Sequence, residues 1–308
     1  MPHPWEAERS VDPALAQKLI QEQMPAITAV RIELLGEGWD NIVYRVDNDW
    51  VFRFPRRQMG ADILEVEYRV LPRVADKLPL PVSAPLYHGK PTADFPWPFA
   101  GYRFLPGRSA CRAALTNAQR HAAAAPLGRF LAALHAIPGA ALQGTEVPGD
   151  RLGRMDPEKR IPQTCRQLQE LVDQRIIAAP EPWLPLLRDL PRGNRPACLV
   201  HGDLYSCHLL VDEDGLLCGV IDWGDIHWGD PATDLMIVFT LLPAAARAAF
   251  YAAYGLLDPD TRRLARFRAL NHTTTLLRYA HATGDAALLH ESLQALHFLA
   301  EAEEGEQG

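Results

Sequence analysis

The chain has 308 residues and is 48% hydrophobic and 22% charged, which is typical of a globular protein of one or two domains. Its formal net charge is −7, and residues 201–308 contain 16 acidic residues against 6 lysines and arginines. No apolar stretch approaches the roughly 18 residues of a membrane span, and no basic stripe with interleaved aromatic residues is present. Residues 1–10 also lack a signal region, so we expect a cytoplasmic protein that binds neither membrane nor nucleic acid.

The cysteines, at positions 111, 165, 198, 207 and 218, are odd in number and form no CxxC pair. Such a set argues against a disulfide framework and against a cysteine-rich zinc site. The sequence therefore predicts free, mostly buried thiols in a reducing compartment.

Residues 1–105 have the pattern of a small β-rich unit. We expect a helix at residues 12–23, strands at 29–35, 42–47 and 50–54, a helix at 61–77, and strands at 84–88 and 98–105. Residues 106–308 are predominantly helical in pattern, at 117–136, 163–178 and 243–302, with breaks near Gly255 and Gly284. The pattern predicts an α/β (α+β) fold with a small N-terminal lobe and a large helical C-terminal lobe.

The segment VHGDLYSCHLLVDEDGLLCGVIDWGDIHWGDPATDL, residues 200–235, places isolated carboxylates on either side of a hairpin pattern. Asp203 follows His-Gly, and Asp222 follows an apolar strand. Phosphoryl transfer needs one carboxylate that accepts a hydrogen bond from the acceptor hydroxyl and another that holds a metal ion against phosphate oxygens. The spacing indicates that these two side chains meet in one site.

This segment resembles the signature of the aminoglycoside phosphotransferase family, relatives of the protein kinases, which reads HGDLxxxN followed by IDWxxxxxGDPxxDL. The resemblance extends over roughly residues 30–240. It implies a two-lobed protein-kinase-like fold, with a nucleotide-binding N-terminal lobe and a C-terminal lobe that holds the catalytic loop, the metal loop and the acceptor-binding helices. It also implies transfer of the γ-phosphate of ATP or GTP, with Mg²⁺ or Mn²⁺, to a hydroxyl of a small molecule such as a macrolide, an aminoglycoside or a metabolite.

The resemblance makes Asp203 the catalytic carboxylate and Asp222 the principal metal ligand. His208 stands where most of the family keeps a metal-binding Asn, and macrolide phosphotransferases look similar in carrying His there. We assign His208 as the second metal ligand, although nitrogen is a softer donor than Mg²⁺ favours. His201 is expected to be a structural residue of the loop, and Asp230 to cap the helix that follows it.

Gly36, Gly38 and Asn41 belong to a turn between two predicted strands. Two glycines allow backbone N–H groups to come close to phosphates. Alone this signal is weak, because glycine turns are common. Joined to the downstream signature, it predicts a loop that covers the nucleotide.

Arg53 occupies the strand position where the family places a basic residue over the α- and β-phosphates. Its expected partner is a helix glutamate, for which Glu67 fits better than Glu65. Arg56 and Arg57 are alternatives to Arg53 in this role.

Residues 102–105 are expected to form the hinge between the lobes, where Arg103 and Leu105 pair with the purine edge through their backbone. Tyr102 aligns with the residue at the back of the base pocket, and a bulky side chain there disfavours adenine. Both ATP and GTP therefore remain open.

Two other functional classes compete with phosphotransfer. A metal-dependent hydrolase would use His201, Asp203 and His208, and a non-catalytic pseudo-kinase would bind nucleotide without turnover. The acceptor stays open too, because the acidic C-terminal half favours cations whereas His208 favours bulky neutral compounds. We expect a monomer or a weak dimer.

Overall fold

The computed structural model describes residues 8–27, 31–38, 40–191 and 196–301. Its helices are α1 (Pro13–Gln23), α2 (Gln58–Val70), α3 (Asn117–His135), α4 (Pro157–Asp173), α5 (Ala232–Leu235), α6 (Ile237–Leu241), α7 (Ala244–Tyr254), α8 (Pro259–Thr283) and α9 (Ala286–Ala300). Its strands are β1 (Ile32–Glu37), β2 (Asn41–Val46), β3 (Trp50–Pro55), β4 (Pro85–Gly89), β5 (Phe99–Arg103), β6 (Arg108–Ser109), β7 (Cys198–Val200), β8 (Leu209–Val211), β9 (Leu217–Val220) and β10 (His227–Gly229).

The N-terminal lobe is an antiparallel sheet with strand order β1-β2-β3-β5-β4. Burial alternates along β2, as expected for a strand with one face on the core. Phe54 and Phe99 stack with ring centroids 4.8 Å apart, and Leu19 and Ile20 of α1 pack into the same cluster. The first predicted strand is shifted to β1, and residues 28–30 lie outside the described part of the chain.

Helix α2 lies against the sheet and is shorter than the helix predicted at residues 61–77. It begins at Gln58 and ends at Val70, and residues 71–73 and 75–77 form short 3₁₀ turns. Pro72 explains the early end, because a proline in the helix interior removes a hydrogen bond and clashes with the preceding turn.

The C-terminal lobe is built mainly from helices around one large core. Helix α3 begins with a capping box formed by Thr116 and Gln119. Helix α8 begins at the cap Asp258 and ends at Gly284 in the left-handed conformation. Aromatic residues from several elements fill the core: Phe130, Trp223, Phe239, Phe250 and Phe267.

Helix α4 begins six residues before the predicted start at residue 163 and ends before residue 178. Asp156 caps it by accepting hydrogen bonds from the N–H groups of Glu158 and Lys159, and Pro157 occupies its first turn. This Asp-Pro pair is the N-terminal signal that the sequence prediction overlooked. The predicted fold class, a small β-rich lobe with a large helical lobe, is confirmed, whereas the boundary at residues 105–106 stays a prediction.

The prediction of free thiols is wrong for two of the five cysteines. Cys111 and Cys207 form a disulfide, with their Cα atoms 4.8 Å apart although they are 96 residues apart in sequence. Cys165, Cys198 and Cys218 are free, and Cys165 is exposed rather than buried. The pairing depends on packing of the turn before α3 against the segment before β8, which no spacing rule reveals.

Among the described residues, no helix combines the length and the apolar character that a membrane span requires.

Candidate active site

The two carboxylates singled out in the sequence follow strands of two different small sheets of the C-terminal lobe. Strand β7 leads directly into the loop that carries Asp203, and the β8–β9 hairpin leads to Asp222. Asp212 shapes the tip of that hairpin by accepting hydrogen bonds from the N–H groups of Asp214 and Leu216. The acidic tip is therefore a turn, as the sequence predicted.

His201 fixes the path of the catalytic loop, which we define as residues 201–208. Its side chain is fully buried. Its Nε2 donates to the Ile221 carbonyl at 3.0 Å, and its Nδ1 accepts from the Asp203 N–H at 3.3 Å. Burial lowers the pKa of His201, which favours the neutral ring that these partners require. This arrangement agrees with the structural role expected from the sequence.

Asp234 supports the catalytic loop through hydrogen bonds to the loop backbone. Its fully buried carboxylate accepts hydrogen bonds from the backbone N–H groups of His201 at 2.7 Å and Gly202 at 2.9 Å. The His135 Nε2 lies 3.3 Å from the same carboxylate. Burial opposes ionisation, but the hydrogen bond from His135 and the backbone donors lower the pKa of Asp234.

A side chain at Gly202, which has φ +89°, would collide with the Asp225 carbonyl oxygen.

The Asp203 carboxylate is partly exposed and is surrounded by nitrogen donors. The His272 Nε2 lies 3.3 Å and the Arg268 Nη2 3.8 Å from its Oδ1. Burial by itself raises the pKa of Asp203. The hydrogen bond from His272 and the charge of Arg154 outweigh burial and lower this pKa well below its usual range. Asp203 is therefore ionised at neutral pH and is an oriented hydrogen-bond acceptor rather than a strong base.

His208 lies between the two carboxylates. Its Nδ1 is 2.8 Å from the Asp203 carbonyl oxygen, and its Nε2 is 3.3 Å from Asp222 Oδ2. A carbonyl can only accept, so Nδ1 carries the proton, and in the neutral ring Nε2 directs a lone pair at the Asp222 carboxylate. Two facing acceptors repel each other, and this geometry favours a cation that both groups bind. Asp222 itself has φ +61°, a strained conformation for a residue other than glycine.

Arg53 on β3 and Glu67 on α2 form a buried ion pair, the partner choice that the sequence favoured. The Arg53 Nη1 also lies 3.4 Å from Asp222 Oδ1, so the pair reaches the metal loop of the other lobe. Burial opposes the charge, but Glu67 raises the pKa of Arg53 above its usual range. A permanent guanidinium therefore faces the cleft next to Asp222.

We call Gly36, Gly38 and Asn41 the glycine turn: Gly36 lies near the end of β1, Asn41 begins β2, and Gly38 lies between the two strands. The Gly38 N–H donates to the Asn41 carbonyl at 2.9 Å, and β1 carries a bulge between residue 34 and Gly36. A Cβ added at Gly36 would meet no atom of the described chain within 4 Å. Packing within the described chain therefore does not explain this glycine.

Arg56 and Arg57, the alternatives to Arg53, support the glycine turn instead. Arg56 donates to the Gly38 carbonyl at 2.8 Å and pairs with Glu37 at 2.7 Å. Arg57 pairs with Asp40 at 3.0 Å. Both guanidinium groups are thus engaged by residues 37–40, at and beside the glycine turn.

The predicted hinge follows β5. The Arg103 guanidinium lies 3.9 Å from the centroid of the Trp50 ring, so this exposed side chain is turned onto β3. Leu105 lies beside Gly219 of β9. Tyr102 is buried, with its ring 5.5 Å from the Arg53 guanidinium. The side chain of Arg103 is thus occupied by Trp50, and the predicted contact with the purine edge falls to the backbone of Arg103.

Three side chains around the catalytic loop were not singled out from the sequence: Arg154, Arg268 and His272. Arg154 pairs with Asp225 at 2.6 Å, which gives that carboxylate a partner. Arg268 and His272 lie four residues apart on α8, more than sixty positions after Asp203. Their spacing on one helix face was visible, but nothing in the sequence indicated that this face meets the catalytic loop.

The chain matches the family model described as phosphotransferase enzyme family over residues 31–270. This chain belongs to that family. It is similar to the GDP and kanamycin complex of APH(2")-IIia, with 25% identity, a TM-score of 0.70, and coverage of 92% of this chain and 97% of the other. It is also similar to the macrolide 2'-phosphotransferase MphH from Brachybacterium faecium, with 27% identity, a TM-score of 0.53, and coverage of 86% and 91%.

A shorter match joins the chain to the uncharacterized protein YcbJ of Bacillus subtilis, with 40% identity over 43 residues, or 14% of each chain. The family match and the solved structures together confirm the resemblance predicted from residues 200–235. They also confirm a kinase-type phosphotransferase with a small sheet lobe and a helical lobe.

Proposed function

We propose that this phosphotransferase uses ATP or GTP, together with Mg²⁺, and phosphorylates a hydroxyl of a small molecule. The observation that carries the proposal is the position of His208, with one nitrogen on the catalytic loop and the other 3.3 Å from Asp222. Relatives bound to GDP and kanamycin or acting on macrolides support a nucleotide donor and antibiotic-like acceptors among the candidates.

Asp203 is proposed to orient the acceptor. In this mechanism its carboxylate accepts a hydrogen bond from the hydroxyl, whose oxygen attacks the γ-phosphorus while the bond to the β-phosphate oxygen breaks. The hydroxyl proton passes to Asp203 or to solvent as the new bond forms. Because the pKa of Asp203 is low, alignment contributes more than proton affinity.

Asp222 and His208 are proposed to hold the metal ion. Mg²⁺ usually takes one or two protein ligands and fills its other positions with water and phosphate oxygens. In the described residues no group of three or more His, Cys, Asp or Glu side chains is arranged to hold a metal alone, which suits an ion shared with phosphates. When bound, such an ion neutralises charge on the transferring group. The imidazole donor is soft enough to admit Mn²⁺ as well.

The residues proposed to bind the nucleotide lie in the N-terminal lobe and in the segment that follows β5. Arg53, held by Glu67, is proposed to face the α- and β-phosphates. Gly36 and Gly38 are proposed to cover the phosphates, and the open space beside the Gly36 Cα atom leaves room for a ligand. The backbone of Arg103 and Leu105 is proposed to contact the nucleotide base. Because the bulky side chain of Tyr102 is buried there, GTP is proposed as a phosphate donor beside ATP.

The hydrolase alternative receives less support from the contacts of His201. Both ring nitrogens of that residue are engaged by backbone groups, those of Asp203 and Ile221, so neither is directed at a metal shared with Asp203. Zinc retained through purification would nevertheless favour the hydrolase. Nucleotide-induced stabilisation without turnover would favour the pseudo-kinase.

The proposed function is tested by nucleoside-diphosphate release with ATP and with GTP over aminoglycosides, macrolides, amino alcohols, hydroxy acids and sugars. The Asp203→Asn variant should keep nucleotide affinity and lose about two to four orders of magnitude in turnover, the range for a general acid–base group. Turnover close to wild type in this variant would remove Asp203 from the proposed role. Absence of Mg²⁺-dependent nucleotide binding in the wild type would contradict the function itself.

A further inference from the structure

Three arginines lie close to one another near Asp203, and we call Arg154, Arg160 and Arg268 the arginine cluster. Arg154 and Arg268 are each more than nine-tenths buried. Burial, together with the neighbouring charges of Arg154 and Arg160, lowers the pKa of Arg268 to about 10, so all three remain charged at neutral pH. Such a grouping of buried cations is costly unless anions compensate it.

The carboxylates near the arginine cluster are unevenly distributed among its members. Asp225 and Asp150 pair with Arg154 at 2.6 and 3.6 Å. Arg160 donates only to neutral oxygens: the carbonyls of Gly153 and Leu152 and the amide of Gln163. Asp150 and Asp225 are thus engaged by Arg154, and the carboxylate next to Arg268 is that of Asp203.

Arg268 is the member with the weakest partners. Its Nη1 donates to the amide oxygen of Asn271 at 3.3 Å, and its Nη2 lies 3.8 Å from Asp203 Oδ1. Its buried Nε has no hydrogen-bond partner among the described residues. A buried guanidinium is normally paired bidentately with an oxyanion. Asp203 approaches Arg268 through one oxygen at 3.8 Å, which leaves donors of the guanidinium for a further oxyanion.

A polar network between α4 and α8 holds Arg268 in place. Asn271, which accepts from Arg268, donates to the Thr164 hydroxyl at 2.9 Å. One turn along, the Thr274 hydroxyl donates to Gln167 at 2.9 Å. The guanidinium is thus positioned by two packed helices, which is a property of a built site rather than of a mobile surface arginine.

We infer that the arginine cluster, through Arg268, binds an anionic group of the acceptor, so that the acceptor carries a carboxylate or phosphate near the hydroxyl that is phosphorylated. Any hydroxyl that reaches Asp203 Oδ1 must lie beside Arg268, because the two side chains are adjacent. An ammonium group at that distance is repelled, and Asp150 and Asp225 are not available to receive it. The inference rests on the proposed phosphotransfer function and narrows its substrate class.

This inference reverses the expectation drawn from net charge. The acidic balance of residues 201–308 favoured a cationic acceptor, but the net charge of a segment says nothing about the field at one atom. Part of that acidity belongs to the tip of the β8–β9 hairpin, at Asp212, Glu213 and Asp214. The charges that decide recognition are the ones adjacent to Asp203.

The first test compares acceptors that share a three-carbon skeleton: glycerate, its amide, aminopropanediol and glycerol phosphate. We expect kcat/KM for the better of the two anions to exceed that for aminopropanediol by at least about tenfold, the loss expected for one charge-assisted hydrogen bond. The carboxylate and phosphate arms identify the source of the oxyanion. A preference for aminopropanediol, or for kanamycin over both anions, would overturn the inference.

The second test does not depend on turnover. Malonate and propanediamine are titrated calorimetrically into wild type, Arg268→Gln and Arg268→Lys, with and without GDP and Mg²⁺. Malonate should bind the wild type, lose at least about tenfold in affinity in Arg268→Gln and recover partly in Arg268→Lys. The matched control is Arg263→Gln, on the exposed side of the same helix, which should bind malonate like the wild type.

Equal malonate affinity in wild type and Arg268→Gln, or tighter binding of propanediamine than of malonate, would overturn the inference. Nucleotide affinity measured in the same preparations reports whether each variant is folded. Failure of the wild type to bind nucleotide would count against the proposed function, while the malonate titration without nucleotide still decides the role of Arg268.

Discussion

The catalytic loop and the glycine turn are fixed by different kinds of contact. The catalytic loop is held by hydrogen bonds of buried groups, chiefly Asp234 and His201, which have little or no exposed surface. The glycine turn is supported from the surface by Arg56, which pairs with a half-exposed Glu37. Buried charge-assisted hydrogen bonds contribute about 1.5–3 kcal/mol each, whereas exposed ion pairs contribute about 0–1 kcal/mol.

This difference suits the two tasks that we propose. The groups that align the hydroxyl and the metal must be held within a fraction of an ångström, which demands a rigid support. A loop that covers a nucleotide must open for release, and weak surface contacts allow that motion. The comparison therefore predicts that substitutions in the two regions differ in size and in kind.

The largest effect is expected for Asp222→Ala. Without this carboxylate the metal loses its principal protein ligand, so the gain in nucleotide affinity on adding Mg²⁺ should fall by at least about tenfold. Calorimetric titration of nucleotide with and without Mg²⁺ measures it. Glu213→Ala, which removes an exposed carboxylate from the β8–β9 hairpin, is the control. An undiminished Mg²⁺ effect in Asp222→Ala would assign the ligand to another residue.

Asp234→Asn should lower the free energy of unfolding by about 2–3 kcal/mol, because an amide cannot accept from both backbone N–H groups as the carboxylate does. The pKa of Asp234 is lowered in the folded protein, so its contribution is complete above the unfolded value of 3.8 and is lost as pH falls through the folded pKa. Urea unfolding at about pH 7 and at about pH 3 should show a smaller difference at the lower pH. A difference that grows on acidification would contradict this account.

His208→Asn restores the commoner residue of the family and tests the nitrogen ligand directly. If Nε2 binds the metal, the ratio of rates with Mn²⁺ and Mg²⁺ should fall by about threefold or more in the variant, because an oxygen donor is harder. Initial rates at saturating nucleotide give this ratio. Equal ratios in the two proteins, with a change confined to thermal stability, would make His208 a structural residue.

The smallest effect is expected for Arg56→Gln. Loss of an exposed pair should change the free energy of unfolding by less than about 1 kcal/mol. Amide hydrogen exchange should accelerate at Gly38 and Asn41 while exchange at Gly202 stays the same. A global loss of stability comparable to that of Asp234→Asn would show that the glycine turn is as firmly built as the catalytic loop.

The sequence predicted most of the elements and the centre of the site because those signals are local. The strand at residues 42–47 and the helix break at Gly284 each depend on a few consecutive residues. The helix ends at Val70 and Pro157 were missed because the prediction followed apolar spacing and gave too little weight to Pro72 and to the Asp-Pro start of α4.

By itself the sequence determined the family, the carboxylates Asp203 and Asp222, and the unusual His208, since all of these lie within one continuous signature. Only the tertiary structure decided what surrounds them. It joined Cys111 to Cys207, turned Arg56 and Arg57 onto the glycine turn, and brought Arg268 to within 3.8 Å of Asp203. Electrostatic interactions act through distance in space, and a helix more than sixty residues away in sequence carries no local mark of the carboxylate that it will face.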